Sequence, residues 1–212
     1  MNFGLSFSYI FQDEAWFKKL VLPGLCLLIP FIGWMVVLGW ALKIAQNVIA
    51  GVEQPLPELH FGDDLLKGFF TFLIGFVYSL PVNLLSAFSG WLGRWNFLNM
   101  EYGNLFTGLF AGGIGLLAFF LGLLTSLLTI AAISNYAAKG DLGAAFQLKE
   151  VWHLLTRNFG GWLLVMLGII LALGIIGPLG TLACIIGVVL TLTYGFGVMG
   201  HLIGQAYLQS QV

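Results

Sequence analysis

Three long stretches of this chain carry no charged side chain. Lys, Arg, Asp and Glu are all missing from residues 68–93, 102–138 and 158–212. A helix needs about 20 consecutive apolar residues to cross a bilayer, and apolar runs of this length are not typical of water-soluble domains. The pattern predicts an all-α integral membrane protein in which each stretch supplies one span or more.

The predicted spans group into pairs. Residues 68–138 predict a central helical hairpin with a short outer loop, and residues 160–209 predict a C-terminal hairpin that turns at Gly177, Pro178 and Gly180. Interfacial side chains are expected around the central loop. The candidates for this belt are Trp91, Arg94, Trp95 and Tyr102.

Residues 20–50 form an apolar run that Pro23, Pro30 and Gly33 interrupt. The run is either one kinked helix or a hairpin that turns near Pro30. A hairpin leaves about 15 residues, roughly 22 Å of helix, in each arm, against a hydrocarbon core of about 30 Å. We favour the hairpin, with a short or re-entrant first segment. The chain is then expected to form three helical hairpins with five to six membrane segments.

Amphipathic segments precede the first and the last of these hairpins. Residues 1–19 and 139–159 place apolar side chains three and four apart between polar ones, as is typical of helices that lie in the membrane interface. Residues 51–67 form a polar loop between the first two hairpins. We expect one membrane domain over residues 1–212.

Basic side chains predict the orientation because they are enriched in short cytoplasmic loops. If residues 20–50 form a hairpin, seven of the eight Lys and Arg residues share one side and only Arg94 lies opposite. If those residues cross once, the division is five against three. The count favours the hairpin and places both termini in the cytoplasm. The seven residues are Lys18, Lys19, Lys43, Lys67, Lys139, Lys149 and Arg157.

A weaker internal repeat supports the same arrangement. A polar residue stands near the exit of each predicted hairpin, at Asn47, Asn135 and Gln205, and Gly51 and Gly140 follow the first two. Each exit would then have a similar local structure.

Composition narrows the functional classes. The 212 residues are 59% hydrophobic and 8% charged with a formal net charge of −1, so a nucleic-acid partner is disfavoured. Cys26 and Cys184 stand alone in apolar runs, without metal or redox spacing. Paired acids, or a Ser with a base beside it, are not evident in the predicted spans. We expect no enzymatic activity, no cofactor and no bound metal.

Several motifs in the first half of the chain resemble those of one known family. They are Pro30-Phe31-Ile32-Gly33-Trp34, Asn47-Val48-Ile49-Ala50-Gly51, Pro55-Leu56-Pro57-Glu58, and Lys67-Gly68 ahead of Pro81. The family is a bacterial and archaeal group of polytopic membrane proteins known as domain of unknown function 4013. The resemblance is sharpest over residues 20–85. It implies a multi-pass protein of a prokaryotic plasma membrane, and it brings no activity, substrate or catalytic residue.

The polar loop is the first candidate site. Its carboxylates and imidazole are possible ligands of a divalent cation, but two of the acids stand where helix caps are expected and the spacing matches no metal motif. A solvated interfacial loop is the preferred interpretation. The candidate residues are Glu53, Glu58, His60, Asp63 and Asp64.

Uncharged polar side chains at membrane depth form the second candidate. Such groups commonly face a bundle interior or a wet cavity, and here they could line a polar pocket. The alternative is that they repair the kink at Pro81 or form hydrogen bonds between helices. The candidate pocket residues are Ser79, Asn83, Ser86, His201 and Gln205.

Two functions from different classes remain open. One is a non-enzymatic, membrane-embedded binding or interaction protein whose partner is membrane lipid or another protein. The other is a small oligomeric channel or transporter for a neutral or weakly charged solute. GxxxG motifs at Gly108 and Gly112, and at Gly200 and Gly204, suit either a homo-oligomer or packing within one chain. Because ion-coupled transport usually needs a charge at mid-membrane, we favour the first function.

Overall fold

The computed structural model describes residues 1–98 and 105–211, and within these two ranges the chain is helical without strands. The all-α prediction is confirmed. The helices are α1 (Phe3–Ser8), α2 (Trp16–Cys26), α3 (Ile32–Ile49), α4 (Phe61–Leu98), α5 (Leu105–Lys139), α6 (Leu148–Arg157), α7 (Phe159–Ile169), α8 (Gly177–Leu179) and α9 (Cys184–Gln211). Short 3₁₀ segments lie at Tyr9–Gln12, Leu142–Phe146 and Gly180–Ala183, and a π-helical segment lies at Ile170–Ile176.

Five segments of the described chain are long and apolar enough to cross a membrane. They are Ile32–Ile49, Phe61–Trp91, Gly108–Lys139, Phe159–Leu182 and Ile186–Gln211. Helix α2, with 11 residues, reaches only about 16 Å and is too short to cross. The chain is therefore a multi-pass membrane protein with a short first apolar helix.

The interrupted apolar run near the N-terminus is two helices rather than one. The chain reverses after α2, where Phe31 adopts a φ of 62°, and a Cβ on Gly33 would overlap the carbonyl oxygen of Cys26. Leu20 of α2 lies in one buried cluster with Trp40 of α3, so the two helices run back along each other. How far each helix extends into a membrane stays a prediction.

Helix α3 packs against α4 and against α9. It meets α4 at two glycines: a Cβ on Gly39 would overlap the backbone of Asp64, and a Cβ on Gly68 would overlap that of Met35. In lipid, helices associate through such close small-residue contacts because apolar area alone gives little drive. Trp40 is fully buried beside this crossing.

The two GxxxG motifs have different surroundings. A Cβ on Gly200 would overlap the carbonyl oxygen of Ala41, and one on Gly204 would press against α3 as well. This motif therefore serves packing within the chain. Gly108 and Gly112 have open space around them, and a homo-oligomer through them stays a prediction.

Helices α4 and α5 pair with each other and are less buried than α3 and α9. Large apolar side chains such as Leu84 and Leu109 are exposed along them, as expected for helices that face lipid. In the predicted belt, Trp91 and Arg94 are exposed. The side chain of Trp95 and all of Tyr102 lie outside the part of the chain that the structure describes.

Between α7 and α9 the helical backbone breaks at Cys184, which has a φ of 58°, whereas the predicted turn residues Gly177 and Gly180 are helical. α7 widens into the π-helical segment before Pro178, whose ring nitrogen cannot donate a hydrogen bond. The hydroxyl of Thr191 donates to the carbonyl of Gly177 at 2.7 Å, which supplies a partner to the backbone beside Pro178.

Candidate functional site

Basic side chains gather at one end of the bundle. We call this the basic end; it consists of loop 50–60, α6 and the adjoining ends of α5 and α9. Four lysines form ion pairs in this region, Lys19 with Asp13, Lys43 with Asp64, Lys67 with Asp63 and Lys139 with Glu150. Arg94 stands about 50 Å of helix away from the start of α4. That the basic end faces the cytoplasm stays a prediction.

The polar loop is held to the helices by its backbone carbonyls. Four consecutive carbonyls of Pro55-Leu56-Pro57-Glu58 each accept a side-chain hydrogen bond, and three of the donors share one face of α3 at helical spacing. Every second residue of this segment is a proline, which has no backbone N–H, so the segment cannot form regular backbone hydrogen bonds. Its carbonyls therefore need donors from other parts of the chain. The bonds are Asn47 Nδ2 to Pro55 O at 2.9 Å, Lys19 Nζ to Leu56 O at 3.0 Å, Trp40 Nε1 to Pro57 O at 3.1 Å and Lys43 Nζ to Glu58 O at 3.0 Å.

Lys43 and Asp64 form a buried ion pair beneath this loop. The Lys43 Nζ lies 2.7 Å from Asp64 Oδ1, a contact of opposite charges rather than an aligned hydrogen bond. Asp64 Oδ2 accepts the backbone N–H of His60 at 2.7 Å. The carboxylate thus satisfies the start of α4 and neutralises Lys43 at the same time.

The remaining candidates of the loop do not form a common site, although His60 Nδ1 lies 3.3 Å from Lys43 Nζ. Glu53, Glu58 and His60 are exposed, and Asp63 pairs with Lys67 along α4. Among the described residues, no three His, Cys, Asp or Glu side chains stand together as metal ligands would.

A second polar group joins the N-terminal segment to α9. The side chain of Gln205 accepts the Asn2 N–H at Oε1, 2.7 Å, and its Nε2 lies 3.1 Å from His201 Nδ1. Because an amide nitrogen only donates, Nδ1 is the acceptor and carries no proton. Ser6 Oγ lies 2.9 Å from the same nitrogen, and the Tyr9 ring stacks on the imidazole at 4.2 Å. Residues 1–12 thus pack against α9 through buried polar contacts.

A Ser beside a His is also the geometry of an activated nucleophile. Here, however, Ser6 has no exposed surface and the ring of Tyr9 covers His201. A substrate carbonyl would have no path to the Ser6 hydroxyl. The pair is better explained as a contact that fixes the N-terminal segment.

The predicted polar pocket falls into two separate groups. Asn83 Nδ2 donates to Ser79 Oγ at 3.1 Å on α4, and Asn83 and Ser86 are exposed. His201 and Gln205 instead contact the N-terminal segment. No described hydrogen bond joins the two groups, and binding of a solute by either stays a prediction.

A cleft of about 430 Å³ opens at the basic end between α5, α6 and the end of α9. Its lining mixes positive, negative and neutral hydrogen-bonding groups, and sequence reasoning had not grouped them. Six of the lining residues are Lys139, Lys149, Glu150, His153, Tyr207 and Gln211.

Glu150 is anchored at the edge of this cleft. It forms an ion pair with Lys139 and accepts a hydrogen bond from Asn135 Nδ2 at 3.1 Å. These hydrogen bonds, the one from Lys139 first, hold the pKa of Glu150 below its usual range. Lys149 forms no ion pair with any described residue. The lining thus contains two lysines and one carboxylate, and one positive charge is left over.

One family model matches residues 22–192, and it is described as a protein of unknown function, DUF4013. The chain belongs to this family. A search of curated proteins and a search of solved structures each returned no match. The match spans the loop motif and most residues of the cleft, but it ends before Tyr207 and Gln211.

The repeat noted at the helix exits has a structural counterpart in this DUF4013 protein. Gly51 and Gly140, which follow α3 and α5, adopt φ values of 71° and 69°, a conformation that favours glycine at a helix end. As Asn47 does in the loop, Asn135 donates to a carbonyl of the returning chain, Ala144 O, at 2.9 Å. At both helix ends, a glycine with positive φ and an Asn side chain that donates to a carbonyl therefore stabilise the turn of the chain.

Helix α6 places apolar side chains beside the cleft. Val151, Leu154 and Leu155 are buried against the bundle, whereas Leu148 and Trp152 are more than half exposed. Exposed Trp and Leu next to basic residues are typical of a helix at the membrane–water interface. The structure thus divides the apolar residues of α6 between the core and this outer face.

Proposed function

We propose that this DUF4013 protein is a non-enzymatic, membrane-embedded binding protein that holds the headgroup of an anionic phospholipid in the cleft at its basic end. The observation that carries the proposal is the position of Lys149, an ammonium without an ion pair, between a polar cleft and the exposed apolar side chains of α6. Basic pockets between spanning helices at the interface are suited to anionic headgroups.

The layout of the cleft suits a lipid that enters from the side. Leu148 and Trp152 offer apolar contact to acyl chains, while His153, one residue from Trp152, lines the cleft. A lipid can therefore keep its chains in the membrane while its phosphate reaches Lys149. We place this end of the protein on the cytoplasmic side of a prokaryotic plasma membrane, on the basis of the charge count.

The alternative of a solute channel has less support. Its main candidates were the polar side chains at membrane depth, and His201 and Gln205 are engaged by the N-terminal segment. Asn83 bonds to Ser79 on its own helix. These contacts occupy groups that a permeation path would use.

Lipid titration of the purified protein tests the proposal. The protein is reconstituted in nanodiscs of phosphatidylcholine, and a short-chain phosphatidylglycerol is titrated while bound lipid is counted by native mass spectrometry. We expect Lys149→Gln to weaken binding about tenfold, which corresponds to about 1.4 kcal/mol, because a hydrogen-bonded charge is lost.

Lys18→Gln is the matched control, because Lys18 is exposed at the same end but outside the cleft. It should change the affinity by less than about twofold, since a single surface charge contributes little. Equal losses in the two variants would indicate general attraction to a basic surface. A wild-type protein that binds phosphatidylglycerol no better than phosphatidylcholine would contradict the proposal itself.

A further inference from the structure

Glu150 is an unexpected residue in a site for an anionic lipid. Its carboxylate sits among the cationic groups of the cleft, and 46% of its side chain is exposed there although Lys139 holds it. The Gln147 amide, in the orientation that hydrogen bonding favours, also donates to both carboxylate oxygens, at 2.7 and 3.0 Å. Such a network fixes the carboxylate in place.

We infer that the cleft selects a phosphodiester headgroup that carries hydroxyl groups, as in phosphatidylglycerol, and that Glu150 is the residue that makes the selection. The inference rests on the proposed function and names the class of lipid for the same cleft. It follows from the fixed carboxylate, the unpaired ammonium of Lys149 and the size of the cleft.

The charge of Glu150 disfavours the most negative headgroups. Hydrogen bonds keep its pKa low, so it is ionised at neutral pH. A phosphate monoester carries a charge of about −1.5 to −2 at this pH, whereas a phosphodiester carries one. Compared with a neutral side chain at this position, a fixed carboxylate therefore lowers the affinity for the monoester more than that for the diester.

A hydroxyl group in the ligand can form a hydrogen bond with the Glu150 carboxylate. A carboxylate only accepts hydrogen bonds, and the hydroxyls of glycerol can donate to it. A headgroup ammonium is a poorer match than a hydroxyl, because two lysines, Lys139 and Lys149, line the cleft beside the one carboxylate and would repel it.

The volume of the cleft agrees with a headgroup larger than phosphate. About 430 Å³ is room for roughly 14 water molecules at about 30 Å³ each. A lone phosphate would leave most of that space to water, whereas a glycerophosphate group would fill more of it. Tyr207 and Gln211 on α9 supply further hydrogen-bonding groups on the third wall.

The test compares two anionic lipids on three forms of the full-length protein in nanodiscs. Dissociation constants of short-chain phosphatidylglycerol and phosphatidic acid are measured for the wild type, for Glu150→Gln and for Glu53→Gln. We expect the wild type to prefer phosphatidylglycerol about tenfold. In Glu150→Gln the preference should fall to about twofold or less, because phosphatidic acid gains affinity. Glu53 is exposed in the loop and outside the cleft, so its variant should keep the preference.

Two further arms keep the result decisive. Glu150→Asp retains the charge and should retain a preference of at least threefold, and undiminished affinity of Glu150→Gln for phosphatidic acid shows that the cleft remains intact. Soluble glycerophosphoglycerol separates a lipid from a free phosphodiester. If it binds as tightly as the lipid, the lipid assignment is wrong.

Several outcomes would overturn the inference. Equal weakening of both lipids in Glu150→Gln would show that Glu150 only supports the cleft, and an unchanged preference would place the selection elsewhere. A wild type that binds both anionic lipids equally contradicts the inference but leaves the proposed function intact. A wild type that binds neither contradicts the proposed function.

Discussion

Replacing Asp64 by Asn tests how the polar loop and α4 are joined to α3. The substitution keeps the shape of the side chain and removes the negative charge that lies 2.7 Å from Lys43 Nζ. The side chain of Asp64 has no exposed surface, and that of Lys43 is 12% exposed. Lys43 would therefore remain a poorly solvated charge after its partner is neutralised.

The magnitude follows from this burial. Removing one partner of a buried ion pair typically costs about 3 to 5 kcal/mol, because the other charge is left uncompensated. Lys43 keeps its hydrogen bond to the carbonyl of Glu58, so we expect the low end, about 3 kcal/mol. Asp63 is the matched control, since its ion pair with Lys67 joins side chains that are 52% and 26% exposed. Asp63→Asn should cost no more than about 0.5 kcal/mol.

The assay is unfolding of the purified protein in detergent, followed by tryptophan fluorescence. Asp64→Asn, Asp63→Asn and the double variant Lys43→Met with Asp64→Asn are compared with the wild type. The double variant removes both buried charges and should recover most of the lost stability. If Asp64→Asn costs no more than Asp63→Asn, or if the double variant is less stable than Asp64→Asn, the reasoning is refuted.

Two further predictions concern packing and pH. Gly68→Ala should lower the stability by about 1 to 3 kcal/mol in the same assay, because its Cβ would overlap the backbone of α3. The control Gly62→Ala, at a glycine with open space around it, should change the stability by less than about 0.5 kcal/mol. Similar losses of stability in the two variants would contradict the close crossing of α3 and α4. Because Lys139 lowers the folded-state pKa of Glu150, this ion pair should stabilise the docking of α6 above pH 4.5, the ordinary value, and lose that effect as the pH falls through the lowered pKa. An NMR titration midpoint of the Glu150 carboxyl at or above 4.5 would contradict this.

Local patterns predicted much of the fold. Charge-free stretches predicted the long apolar helices, and Pro30 and Gly33 indicated the break between α2 and α3 because proline and a close glycine contact act on neighbouring residues. The exits at Asn47 and Asn135 were also visible, since each side chain bonds to a carbonyl only 8 or 9 residues away.

The roles of single polar residues were much less predictable. His201 and Asn83 belonged to one candidate pocket, yet the structure joins His201 to Ser6, 195 residues away. Asp64 looked like a helix cap; in the structure it lies in the first turn of α4 and accepts the His60 N–H, and its pairing with Lys43 depends on the crossing of α3 and α4. Such contacts depend on which helices cross and where, and the periodicity of residues within one helix does not predict these crossings.

The sequence by itself determined that this chain is helical, that it is built for a membrane and that its basic residues are unevenly distributed. These are properties of composition and of apolar length, which neighbouring residues decide together. Only the tertiary structure decided that Lys139, Glu150 and Tyr207 line one cleft and that Ser6 lies beneath Tyr9 and His201. The physical reason is that a binding site needs groups from several helices, and close packing at a few glycines determines which helix ends come together.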